Sequence, residues 1–221
     1  EEYLGDNLTD DWRPTGASIG EIRQMPHLVH SYVEHLACLL PHAEAIPMKI
    51  AFDCAHGAAG AVMPALLERI GSKWPLIGAD PDGLNINEGV GVIHMRHLGN
   101  YVTECSCDMG FAFDGDADRA LMADSGGRLI DGDIARKEML GSGVVVTVMS
   151  NMALEEHLGR EGIKVFRCPV GDRYVLEAMR CSRARLGGEQ SGHIIADAFT
   201  RTGDGLCTAL ILLNALKDLG E

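Results

Sequence analysis

Met109-Gly110-Phe111-Ala112-Phe113-Asp114-Gly115-Asp116-Ala117-Asp118-Arg119 runs from an apolar segment straight into three carboxylates at i, i+2 and i+4. The apolar half predicts a buried strand, and Leu121-Met122 resumes hydrophobic sequence just past the acidic turn. Three negative charges packed this closely beside hydrophobic neighbours are costly unless a cation neutralises them. An all-oxygen ligand set suits a hard divalent ion, Mg²⁺ or Mn²⁺ ahead of Zn²⁺. Arg119 adds a guanidinium fork that fits a phosphate or a carboxylate. A metal and an arginine side by side suggest phosphate chemistry. The plainer alternative is a solvated acidic loop, because charge runs are commonly surface features. A calcium loop of the EF-hand type does not fit. Arg119 stands where that loop needs its sixth-position glycine, and Ser125 where it needs a bidentate glutamate.

Either side of this stretch the chain alternates short strands and helices. Ile22, Met25, Leu28, Val29, Tyr32, Val33, Leu36 and Leu39 have helical spacing over 21–40, stopped by Pro41. His27, His30 and His35 fall on that helix; an i, i+3 pair can bind metal, but no carboxylate accompanies it. Residues 48–53 read as a strand, Cys54–Gly60 as a glycine-rich turn and 62–70 as a helix closed by Gly71, the opening of a βα unit. The turn is not G-x-G-x-x-G, so a dinucleotide site is unsupported. Its helix N-terminus can face an anion, and packing explains it equally well. A strand at 76–78 and a helix at 94–104 follow. The acidic turn then lies at the carboxyl end of strand 109–113, where open α/β sheets place their ligands. Residues 120–124 return as a strand, with Ser125-Gly126-Gly127 as a hairpin turn.

A second α/β pattern begins near Asp131. It has strands at 144–149, 165–168 and 194–196, and helices at 152–161, 174–179 and 206–216, the last capped by Thr202 or Asp204. The fold class is therefore α/β: two successive α/β domains, each a mixed sheet packed between helices. Residues 1–20, with Pro14, Gly16 and Gly20, read as a linker or the remnant of a preceding domain. Residues 21–128 and 129–221 read as the two domains.

Glu189, Ser191 and His193 alternate through the glycine-bounded segment 187–193. If that segment is extended, their side chains share one face. A carboxylate, a hydroxyl and an imidazole can together bind vicinal hydroxyls, and the histidine can shuttle a proton. The plainer reading is a strand-edge turn in which Ser191 and His193 satisfy backbone groups. A Ser-His hydrolase is excluded by the absence of Gly-x-Ser-x-Gly around Ser191.

Composition narrows the class further. A net charge of −13 over 221 residues argues against nucleic acid or an anionic membrane as a partner. A phosphorylated ligand must then be met by local positive charge or a metal. The seven scattered cysteines lack a disulfide framework or a zinc spacing and fit reduced thiols in a cytoplasm. No apolar run approaches the roughly 20 residues that span a bilayer, and Glu1-Glu2-Tyr3 opens no signal peptide.

In this order the segments resemble the α-D-phosphohexomutase family. Asp114–Arg119 is similar to its metal loop, D-G-D-[GA]-D-R, and Gly188–His193 to its sugar-binding loop, G-E-x-S-G-H. Asp53–Gly57, Pro81–Asn87, Thr147–Met152 and Val170–Val175 match further motifs, so the resemblance covers about residues 16–221. Gly-Gly-Glu-Gln-Ser-Gly-His is similar to the glucosamine branch, and Gln190 stands where the mannose/glucose branch often carries methionine. The resemblance implies a four-domain enzyme that interconverts glucosamine 6-phosphate and glucosamine 1-phosphate through a phosphoserine and a sugar bisphosphate. Matched by motif, Asp114, Asp116 and Asp118 would hold Mg²⁺, and Arg119 would orient a phosphate. Glu189 and Ser191 would bind sugar hydroxyls, His193 would assist proton transfer at the sugar, and Arg173 is a further candidate substrate contact.

The family's phosphoserine loop, T-A-S-H-N-P, and its phosphate-binding loop, R-x-S-G-T-E-P, have no counterpart; Ser18 is not followed by His-Asn-Pro. The resemblance thus implies the family's second and third domains only. Such a piece lacks the nucleophile and is expected to be inactive alone. Its expected partners are a hexosamine phosphate and its own neighbouring domains, with the oligomeric state open. The stretch from Asp133 to Val144 is shorter than usual by about one helix of roughly three turns. Asn87–His94 also lacks the small polar residue that often follows its second glycine. Two other readings stay open: a non-catalytic module for Mg²⁺ and sugar phosphate, or a phosphomannomutase or phosphoglucomutase of the same family.

Overall fold

The computed structural model describes residues 15–130 and 143–219. The linker expectation for 1–14 and most of the shortened stretch after Asp133 lie outside the described residues. In the first sheet, β1 (Ile50–Asp53), β2 (Leu76–Ile77), β3 (Met109–Phe113), β4 (Ala120–Asp124) and β5 (Leu129–Ile130) lie in the order β2-β1-β3-β4-β5. β1 pairs in parallel with β2 and β3, while β4 and β5 continue antiparallel. The second sheet joins β6 (Val144–Thr147), β7 (Val165–Cys168), β8 (Leu186–Gly188) and β9 (Ile194–Ala196) in the order β7-β6-β8-β9. Only β9 is antiparallel to its neighbour. Both sheets are mixed and helix-covered, as the α/β reading requires.

Strand alternation decides which helices cover which face. Ile50, Phe52, Phe111 and Phe113 point one way, under α1 (Pro26–Leu39), α2 (Ala58–Arg69) and α6 (Gly205–Leu219). The Phe52 and Phe111 rings stack there at 5.7 Å between centroids. Ala51, Ala112 and Ala123 point the other way, and these small side chains let α3 (Met95–Glu104) settle close through Leu98 and Val102. In the second sheet, Val144, Val146 and Leu186 pack with Leu158 of α4 (Met152–Arg160). Val145 and Ile195 pack with Val175 and Met179 of α5 (Asp172–Ser182).

The last helix serves both sheets. Leu206, Leu210 and Leu213 are buried in the first core, while Ile211 packs against the second. Burying each leucine contributes about 1.5–3 kcal/mol, so α6 joins the sheets by core packing rather than by a tether. The unit read as 129–221 therefore gives Leu129–Ile130 and α6 to its neighbour's sheet and core.

Several boundaries move for local reasons. α1 begins at Pro26 rather than near 21, because proline takes the first helical position and holds Met25 out of helix, at φ −130°. Ile22 is left 95% exposed. α2 begins at Ala58, so Ala58-Ala59-Gly60 are helical rather than part of the turn. α5 begins at Asp172, which puts Arg173 in its first turn instead of a loop. β6 stops at Thr147, and the next residues turn, with Arg167 donating to the carbonyls of Thr147 and Ser150.

Candidate functional site

The acidic turn leaves the carboxyl end of β3. Asp114 is buried, Asp118 half-buried and Asp116 exposed, and one carboxylate oxygen from each lies within 4.8 Å of the others. Ala117 curls the chain back with a left-handed φ of 61°, and its N–H donates to the Asp114 carbonyl at 3.1 Å. Asp114 accepts the Arg119 backbone N–H at 3.1 Å on one oxygen and the Arg119 Nε on the other. The same Nε lies 3.5 Å from Asp118. Burial works against the Asp114 charge, but the bonds from Arg119 win and hold its carboxyl below the usual range. Burial, reinforced by the Asp114 carboxylate, pushes Asp118 up. One guanidinium thus offsets only part of the anionic charge. The remaining all-oxygen cluster fits a hard divalent cation. It is the only such group of three close enough to share an ion among the described residues. His27, His30 and His35 stand exposed on α1, outside it.

The second turn closes the β8–β9 hairpin. Gly192 N–H donates to Glu189 O at 3.0 Å, and Glu189 N–H to His193 O at 2.9 Å. The segment is a turn, not an extended run, so Glu189, Ser191 and His193 do not share one face. Glu189 and Ser191 stay together: Ser191 Oγ donates to one Glu189 carboxylate oxygen at 3.3 Å, and the other accepts the Gly171 N–H at 2.6 Å. Arg173 sits two residues past Gly171, exposed at the start of α5. His193 turns inward instead, buried against Gly203, with Nδ1 3.1 Å from Asp118 Oδ2. Its buried Nε2 has no hydrogen-bond partner among the described residues.

The two turns meet directly. Ala120 N–H donates to Gly192 O at 3.0 Å, and Arg119 and His193 form an isolated antiparallel bridge. Beside them opens a cleft of about 240 Å³ lined by Tyr32, Ala58, Val62, Asp116, Asp118 and Asp204. Asp204, expected only as a helix cap, does cap α6 by accepting the Cys207 N–H at 2.9 Å. It also receives the Tyr32 hydroxyl, which lies 2.9 Å from both its oxygens. Burial, then the neighbouring Asp204 charge, pushes the Tyr32 phenol up. Asp53, read as a strand end and the start of the Asp53–Gly57 motif, is buried and accepts N–H bonds from Ala55 at 3.0 Å and Gly91 at 2.8 Å. All seven cysteines are free. Burial pushes the Cys54 and Cys207 thiols up to about 12, which makes them inert packing groups.

The sequence model of phosphoglucomutase/phosphomannomutase alpha/beta/alpha domain II matches residues 30–127, and that of domain III matches 124–221. The chain belongs to the phosphohexomutase family. The phosphoglucosamine mutase of Rhodococcus jostii (strain RHA1) is 43% identical across 100% of this chain, and that of Symbiobacterium thermophilum 45% identical across 91%. The chain spans about half the length of the curated relatives it matches, 52% and 47% of these two. A phosphoglucomutase/phosphomannomutase family protein from Burkholderia thailandensis superposes with a TM-score of 0.75 at 24% identity, covering 86% of this chain and 44% of that one. Aspergillus fumigatus N-acetylphosphoglucosamine mutase, in complex with GlcNAc-6P and magnesium, gives 0.66 at 19% identity, covering 87% and 52%. These two likenesses concern the phosphohexomutase fold alone. No helix among the described residues is long and apolar enough to cross a membrane.

Proposed function

We propose that this chain is the metal- and sugar-binding middle of a phosphoglucosamine mutase, interconverting glucosamine 6-phosphate and glucosamine 1-phosphate, with 21–128 and 129–221 as its second and third domains. The observation that carries the reading is the direct hydrogen bonding between the acidic turn of one sheet and the Glu189–Ser191 turn of the other. A turn suited to phosphate chemistry and a turn suited to reading hydroxyls thereby lie side by side. The names of the relatives at 43% and 45% identity support the glucosamine preference, as does Gln190.

Asp114, Asp116 and Asp118 would hold Mg²⁺. Bound there, the ion supplies Lewis acidity and charge neutralisation for phosphoryl transfer. Arg119, 40% exposed at its side chain, orients a phosphate. Glu189 and Ser191 accept and donate bonds to the sugar hydroxyls, and Arg173 contacts the substrate from the start of α5. His193 assists proton transfer beside the sugar, held behind Asp118. Seven free thiols fit a reducing cytoplasm.

The test is an assay of the full parent reading frame with glucosamine 6-phosphate, alongside the 221-residue chain. The parent is expected to form glucosamine 1-phosphate, competed poorly by mannose and glucose phosphates, and the shorter chain to form none. Turnover by the shorter chain alone, or a parent that turns over mannose or glucose phosphates preferentially, overturns this reading. A parent that binds the sugar phosphate without converting it points to a non-catalytic module.

A further inference from the structure

Two helices from different parts of the chain end on the acidic loop. The first N–H of α2, from Ala58, donates to Gly115 O at 2.9 Å. The first N–H of α6, from Gly205, donates to Ala117 O at 2.8 Å. Gly115 and Ala117 are the residues that separate the three aspartates. The loop is therefore divided by position: carbonyls of 115 and 117 meet the helices, while carboxylates of 114, 116 and 118 gather on one another. First-turn amides have no partner inside their own helix, and the positive end of the helix dipole lies there. Both effects favour a carbonyl from an anion-rich loop.

The approach is close enough to dictate residue type. A β-carbon on Gly57, the residue before α2, would overlap Gly115 O, and one on Gly205 would overlap Arg119 O. Neither glycine has a positive φ, so close approach is the reason for each. Ala117 is the converse case. It carries a side chain at φ 61°, a conformation that persists only where its surroundings hold it.

We propose that Gly57 and Gly205 are positioning residues for the metal loop, admitting two helix N-termini that clamp its carbonyls and gather the three carboxylates before a cation arrives. The proposal rests on the reading of Asp114, Asp116 and Asp118 as metal ligands. It is tested on the 221-residue chain with Gly57→Ala and Gly205→Ala, by amide hydrogen exchange without metal and by calorimetric titration with Mn²⁺. In either variant, amides of 112–121 are expected to exchange at least about tenfold faster while those of β6 and α4 keep their rates. Mn²⁺ affinity is expected to fall by about 10–100-fold, the usual effect of disturbing the groups that orient metal ligands. Ala58→Pro is a second route to the same result. It deletes one donated bond at a helix position where proline is tolerated. Gly159→Ala, in open space on α4, is expected to change neither measurement. Unchanged loop exchange in Gly205→Ala and Ala58→Pro overturns the proposal, and so does a uniform acceleration across the chain. A wild-type chain that takes up no Mn²⁺ overturns the metal reading instead, and loop exchange alone then decides the clamp.

Discussion

Asp53 is a fully buried carboxylate at the end of β1, held by N–H bonds from Ala55 and Gly91. Burial outweighs those bonds and the nearby His97 and His56, so its carboxyl sits above the usual range. The folded state then binds this proton more tightly than the unfolded chain does. The contribution of Asp53 to stability is therefore fully present below the ordinary carboxylate pKa and is lost as pH rises through the raised value. Asp53→Asn removes the charge but turns its amide NH₂ toward one of the two N–H donors, while its oxygen keeps the other. It is expected to destabilise by about 1–3 kcal/mol in urea denaturation. Asparagine does not titrate, so the gap to wild type should narrow as pH rises from about 4. A gap that widens with pH contradicts this account.

At the scale of elements, the start of α6 is tied to α1. Asp204 caps one helix and receives the Tyr32 hydroxyl of the other. Asp204→Ala loses the cap and strands a half-buried phenol, at an expected cost of about 2–4 kcal/mol. Asp204→Asn, an equal cap, should cost less. A double-mutant cycle with Tyr32→Phe should give a coupling of about 1 kcal/mol or more. Additive urea-denaturation energies would mean that the contact carries no energy of its own. The same region marks where sequence stops being legible. β3, β4, β7 and β9 run where their apolar stretches run, because turn residues bound each one. The start of α2 was hidden, since Gly57-Ala58-Ala59-Gly60 reads as a turn until Gly115 takes the Ala58 N–H. Glu189, Ser191 and His193 could be picked out by residue type. Their parting could not, because β8–β9 register turns the chain at 189–192 and sends His193 to Asp118. Asp204 signalled a cap, but nothing local to it signalled Tyr32.

For the whole molecule, the decisive element is again α6, which lies in one core and against another. Leu210 is 1% exposed and Leu213 fully buried, and Leu210→Ala is expected to cost about 2–5 kcal/mol. Because this helix also packs against β9, calorimetry should record one unfolding transition for the chain, lowered as a unit in the variant. Two separate transitions, with only one moved by Leu210→Ala, would show that the sheets unfold independently.

The return of α6 also sets an order of events during synthesis. A ribosome delivers Phe52, Phe111 and Phe113 long before it delivers Leu206, Leu210 and Leu213, yet these residues share one cluster. Between the synthesis of Phe113 and that of Leu206 the emerging chain carries an aromatic surface without its final cover, the kind of exposed patch that chaperones shield. Completion of the first sheet's core waits for α6 to clear the exit tunnel.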